Sequence, residues 1–167
     1  MRIGRSLFVP FVVSALVALA PSNAAASGTW TWPVVGPVLR GFEAPTSPYS
    51  AGHRGIDIVA PFGTPVRAAA TGVVSFAGPV GGSLFVSVNH GGGVISSYSF
   101  LSSIAVRKGD TVTQGAVVAR SGNGHPGETP AHLHFGVRVN GTYVDPMDFL
   151  SPPSVAAIVR LAPLAAG

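Results

Sequence analysis

The sequence predicts an all-β fold: a small antiparallel domain built of hairpins, arranged as a compact sandwich or barrel-like sheet and preceded by a signal peptide. Three observations lead there. From about Thr64 onward, short β-branched runs recur at close intervals. Tight-turn residues separate them. No stretch between Thr64 and Leu150 has helical periodicity. The chain holds 167 residues, with 22 Gly, 15 Pro and no Cys. That is one domain's worth of chain, large enough to bury a real core without disulfide staples.

The first 26 residues carry Arg2 and Arg5, a largely apolar run from Leu7 to Ala20, and small residues that include Ala24 and Ala26. This is the pattern of a secretory signal peptide cut after Ala26, with an uncleaved anchor as the rival reading. The apolar run is short for a span of about 20 residues, so no stable membrane span is expected once the signal is gone. Residues 27–52 are rich in Pro, Gly and aromatics. They read as an irregular lead-in packed on the domain, because Trp30, Trp32, Phe42 and Tyr49 favour burial.

The domain itself runs over residues 53–150. "PVRAAATGVVSFAG" holds two strands broken at Thr71-Gly72. "SLFVSVNHGGGVISSYSFL" is a hairpin that turns at His90-Gly91-Gly92-Gly93. Lys108-Gly109-Asp110 and Gln114-Gly115 mark two further turns, and Asn140-Gly141 is a strong hairpin signal. In "TPAHLHFGVRV", Leu133, Phe135, Val137 and Val139 alternate with His132, His134, Gly136 and Arg138. One face of that strand is therefore apolar, and the other carries both imidazoles. The tail, 151–167, is largely apolar with one charge, Arg160, and has no assigned role.

Charge excludes one class of partner. Ten Lys and Arg against six Asp and Glu give a net charge of +4, which falls to +2 once Arg2 and Arg5 leave with the signal. Arg107-Lys108 is the one adjacent basic pair, so the basic patch expected of a nucleic-acid binder is missing. Mild positive charge suits an anionic cell-wall surface. Without Cys, any metal must be held by nitrogen and oxygen.

Such donors occur in two places. His132 and His134 project from the same strand face, where two imidazoles can converge on one ion. In "GHRGIDIVAPFGTPV", His53 and Asp57 bracket Gly55, a spacing that lets a loop curl around a small cation. One carboxylate and at least two imidazoles give three protein ligands and leave a fourth tetrahedral position for water, the layout of a catalytic zinc site.

"GHRGIDI" and "AHLHFGV", with "TPVRAAATGVVSFAG" between them and "SSIAVRKGDTVTQGAVVARSGNGH" as the connection, resemble the M23 zinc metallopeptidases of the lysostaphin or LytM type. The resemblance runs from about Trp32 to Leu150. It implies a small antiparallel β fold with a groove across one sheet and a single Zn²⁺ held by His53, Asp57 and His134. It also implies a catalytic role for His132, which does not bind the metal directly. The implied substrates are peptide bonds in bacterial peptidoglycan cross-links or glycine bridges. The implied setting is the cell envelope or the space outside it.

One position departs from that pattern. Where the family has a second catalytic histidine in a Tyr-x-His-Leu stretch, this chain has Tyr98-Ser99-Phe100-Leu101. Phenylalanine cannot donate a hydrogen bond, and loss of one such donor costs on the order of 10²–10³ in rate. His125, in "GNGHPGETP", is a candidate substitute, but a single loop histidine reads as solvated. His90 reads as a polar turn residue. Gly136 reads either as a place for a substrate backbone to approach or as a strand bulge.

Two functions therefore stand: a secreted zinc endopeptidase of peptidoglycan, or a zinc-retaining module of the same fold that binds wall peptides or activates a partner wall hydrolase. Carrier domains for biotin or lipoate need a lysine at a hairpin tip, and the sole lysine, Lys108, lacks the expected neighbours. A cupin-type site needs a Glu shortly after its H-x-H, and "HFGVRVNGTYV" has no carboxylate.

Overall fold

A computed structural model describes residues 30–47 and 50–152; the signal-like segment and residues 153–167 lie outside the described residues. Ten strands occur in chain order: β1 (Val38–Arg40), β2 (Ile56–Val59), β3 (Pro65–Arg67), β4 (Gly72–Val80) and β5 (Ser83–Asn89), then β6 (Val94–Ile104), β7 (Thr111–Val112), β8 (Val117–Ser121), β9 (His132–Val139) and β10 (Thr142–Val144). Every pairing between these strands is antiparallel. The main run is β1-β2-β9-β6-β5-β4-β7, with β10 on β9 and β3 joined through β8 to β6. The sheet does not close into a barrel, so β1 and β7 end the run. Among the described residues the helical content is one 3-10 turn, Pro146–Asp148, and no helix is long and apolar enough to cross a membrane.

The hairpins form where the turn chemistry demands. Asn140 and Gly141 both have positive φ, +50° and +85°, as a two-residue type I′ turn requires. Alternation then decides what is buried. Ile56 and Ile58 of β2 and Leu133, Phe135 and Val137 of β9 are fully buried, as are Val86 and Val88 of β5 and Tyr98 of β6. Burying one large aliphatic or aromatic side chain contributes about 1.5–3 kcal/mol, so this shared face is what holds the strands in register.

That register positions the polar face. In the β2–β9 ladder Ile56 pairs with Phe135, Asp57 with His134 and Ile58 with Leu133. On the other side of β9, Ser97 pairs with Gly136 and Ser99 with His134. Slipping either ladder by one residue would send Asp57 or His134 into the core.

Strand β6 pairs with β9 as far as Ser99 and with β8 from Leu101. Phe100 is the branch point, with a φ of +59°. This left-handed conformation is unusual for an aromatic residue. It breaks the side-chain alternation of β6, and the Phe100 carbonyl accepts a hydrogen bond from Gly122 N–H at 2.9 Å.

The lead-in is tied to the C-terminal end of the domain. Trp30 is buried, its N–H donates to Phe149 O at 3.0 Å, and Ser151 N–H donates to Trp30 O at 2.8 Å. Trp32 Nε1–H donates to Ser151 O at 2.8 Å. Within the same segment Val38–Arg40 forms β1 along the edge of β2. Tyr49, expected to be buried, lies outside the described residues.

Candidate metal centre

Strand pairing brings distant residues together. Asp57 on β2 and His134 on β9 face each other across the ladder, and His53 precedes β2 by one short turn. Gly55 occupies that turn because a Cβ there would strike the backbone of Phe135, and at 2.8 Å the imidazole of His134. His134 Nδ1 lies 2.8 Å from Asp57 Oδ1 and 3.0 Å from His53 Nε2. His53 Nε2 lies 3.1 Å from Asp57 Oδ2. His53 Nδ1 donates to Gly41 O at 2.7 Å, which places the proton on Nδ1 and leaves a lone pair on Nε2.

These donors suit a cation and do not satisfy one another. Asp57 is fully buried, and its Oδ2 has no hydrogen-bond partner despite the nearby Nε2. A buried carboxylate oxygen left in that state is costly. Lone pairs of His53 Nε2 and the Asp57 carboxylate face each other around His134 Nδ1, which can supply one proton at most. A small divalent ion with nitrogen and oxygen preferences resolves all of this at once. Burial pushes the Asp57 carboxyl up, but the His134 hydrogen bond and the neighbouring imidazoles outweigh it and hold it below the usual range. The ionised form is therefore favoured, the state in which a carboxylate can bind a metal.

His125 belongs to the same cluster. Its Nε2 is 3.3 Å from His134 Nδ1 and 3.5 Å from Asp57 Oδ1. The sequence pattern suggested a solvated loop residue; instead the ring is 27% exposed and packs on Phe100 with ring centres 4.4 Å apart. Burial lowers its pKa, partly offset by Asp57. The one signal available in the sequence was its place in a Gly-rich loop seven residues before His132.

His132 shares the strand face of His134 but is fully buried. Its Nδ1 donates to Pro130 O at 2.8 Å, and its Nε2 accepts from the backbone N–H of His125 at 3.0 Å. Glu128 Oε2 stands 3.9 Å from the same Nε2. Gly136 is neither a bulge nor an open approach. The β6–β9 register is continuous through it, and a Cβ there would lie 2.9 Å from both Arg54 O and Ser97 Oγ. His90 lies apart from the cluster, buried against Trp30.

A groove of about 580 Å³ crosses the sheet above the cluster. His53, His125 and His134 line it, together with Phe76, Val80, Phe85 and Phe100 from β4, β5 and β6, and with Arg54, Arg138 and Tyr143. The Arg138 guanidinium sits 5.4 Å from the centre of the Tyr143 ring.

Comparison with known proteins places this geometry. An uncharacterised protein of Mycobacterium tuberculosis is 36% identical over 156 residues, which are 89% of this chain and 60% of that protein. The DD-carboxypeptidase/endopeptidase Mpg of Neisseria meningitidis is 41% identical over 101 residues, 60% of this chain and 23% of that protein. The chain thus spans less than two thirds of the length of these relatives. The crystal structure of a zinc containing peptidase from Vibrio cholerae superposes with a TM-score of 0.62 at 28% identity, covering 75% of this chain and 41% of that one. The sequence model of peptidase family M23 matches residues 51–146. With more than half of its length matched and the His/Asp cluster inside the match, this chain belongs to peptidase family M23.

Proposed function

We propose that the protein is an exported zinc-dependent endopeptidase that hydrolyses peptide bonds in bacterial peptidoglycan cross-links or bridges. The observation that carries this reading is the convergence of His53 Nε2, the buried Asp57 carboxylate and His134 Nδ1 at the floor of the groove, with Asp57 Oδ2 otherwise unpartnered. Family membership and the zinc peptidase among the structural neighbours support it. Export rests on the signal-like pattern of residues 1–26.

In this reading His53, Asp57 and His134 hold the ion. Bound zinc lowers the pKa of water towards about 7 and polarises a carbonyl. The Gly41 carbonyl fixes His53 in the tautomer that presents Nε2. The Pro130 carbonyl fixes His132 with its proton on Nδ1, leaving Nε2 as the basic atom that takes a proton from the attacking water and later returns one to the leaving amine. The groove gives an extended peptide an apolar wall at Phe76, Phe85 and Phe100, and Arg54 and Arg138 as counter-charges for substrate carboxylates.

A second reading, a module that binds wall peptides or activates a partner hydrolase without cutting, is favoured by one observation. His132 Nε2 is covered by the loop that carries His125. Zinc-loaded protein incubated with intact sacculi, with released peptides identified by mass spectrometry, separates the two. The enzyme reading predicts new cleavage products that disappear in His132→Ala; bound sacculi without products support the binding module. Under the enzyme reading Phe100→His raises the cleavage rate, because it restores a donor beside the reacting carbonyl. An unchanged rate in that variant means Phe100 is not what limits hydrolysis.

A further inference from the structure

We propose that His125 is a fourth protein ligand of the metal, so that the centre is a closed site of three imidazoles and one carboxylate. The proposal rests on the zinc site described above and concerns the position that a three-ligand site leaves open.

The spacing carries it. Four donors at the corners of a tetrahedron around zinc, with bonds of about 2.0–2.1 Å, lie about 3.3 Å from one another. Among the three expected ligands the shortest contacts are 2.8 Å from His134 Nδ1 to Asp57 Oδ1, 3.0 Å from His134 Nδ1 to His53 Nε2, and 3.1 Å from His53 Nε2 to Asp57 Oδ2. His125 Nε2 adds edges of 3.3 Å to His134 Nδ1 and 3.5 Å to Asp57 Oδ1. All four donor atoms lie within 4.8 Å of one another.

The loop is shaped to deliver this side chain. Gly124 has a φ of +89°, and any Cβ there would collide with the His132 ring, so the backbone lies flat against that imidazole. The next residue, His125, then gives its N–H to His132 Nε2 and turns its ring towards His134. The aromatic ring of Phe100, thrown out of β6 by its positive φ, closes the far side of His125. One residue thus fills the fourth corner with its side chain and caps the basic nitrogen of His132 with its backbone. A substrate gains both only when His125 gives way.

Cobalt(II) substitution tests this without measuring turnover. The whole chain, stripped with chelator and loaded with cobalt, is titrated with azide while its visible spectrum is followed. Four protein ligands predict one cobalt per chain and a tetrahedral spectrum that azide leaves unchanged. His125→Ala opens a position, so its spectrum shifts with azide and its cobalt affinity falls at least tenfold. A wild-type spectrum that shifts with azide as the variant's does, with equal affinity, overturns the proposal and leaves the three-ligand site standing. If Asp57→Asn takes up cobalt with the wild-type spectrum, or wild type takes up none, the zinc reading fails and this proposal with it. Should His125→Ala not fold, the azide response of the wild-type protein decides alone.

Discussion

Among the described residues, two buried polar clusters are built around histidines, and they are built on opposite terms. Near the β5–β6 turn, His90 Nδ1–H donates to Thr71 O at 2.9 Å, and Nε2 is 2.8 Å from Ser96 Oγ. Ser96 Oγ is hydrogen-bonded to Tyr98 Oη at 3.1 Å, and Tyr98 Oη accepts from Ala69 N–H at 2.8 Å. Each ring nitrogen and each hydroxyl there has a partner. At the other cluster, across the sheet, His53, Asp57, His125 and His134 turn lone pairs towards one another, and one buried oxygen has no hydrogen bond at all. A satisfied network is structural. A network short of protons and rich in lone pairs marks the place for a cation.

The largest expected effect breaks the comparison at the metal side. Zinc at a thousandfold excess over its Kd stabilises the fold by about 4 kcal/mol. Thermal melts of wild type therefore rise with added zinc, and those of Asp57→Asn do not. A zinc-dependent rise of equal size in the variant would show that the ion binds somewhere else.

The next effect breaks the satisfied side. Tyr98→Phe leaves the Ala69 N–H buried without an acceptor, which costs about 1–3 kcal/mol. Denaturant melts should show that loss whether or not zinc is present, with zinc affinity unchanged. Burial also pushes the Tyr98 hydroxyl up to about 12, so no titration of this group intervenes at neutral pH.

The smallest effect sharpens the contrast through pH. Burial lowers the pKa of His90. The unfolded chain takes up that proton near the ordinary histidine value of about 6.5, and the folded chain only at lower pH. His90 therefore contributes its full stability above about pH 6.5 and loses it as pH falls towards its folded pKa, by less than about 1.4 kcal/mol per pH unit. Comparing melts of wild type and His90→Gln over that window, both zinc-loaded, isolates the residue. His90→Gln should have the shallower acid slope, and parallel slopes would refute the assignment.

Much of this was legible in the sequence, for physical reasons that also mark where legibility stops. Alternation in residues 132–139 and the Asn140-Gly141 turn announce their strands, because side-chain parity and positive φ are local properties. His53, Asp57 and His134 could be named as a set only through their motifs. Their meeting depends on a register between residues 77 positions apart, which no local pattern encodes. His125 was harder still. Loops have no periodicity, and its position is set by contacts of Gly124 with His132 and of its own ring with Phe100. His90 looked like a turn residue because Trp30, which buries it, lies sixty positions earlier in the chain. Gly136 reads in the sequence either as a substrate approach or as a bulge, and only the fold shows the Arg54 carbonyl pressed against it.

In the proposed function one zinc ion sits among His53, Asp57 and His134. Anomalous diffraction at the zinc edge from crystals of the zinc-loaded protein tests it most directly. A single strong peak per chain is expected within coordination distance of His53 Nε2, the Asp57 carboxylate and His134 Nδ1. A peak elsewhere, or none in protein that binds zinc one to one in solution, would contradict it.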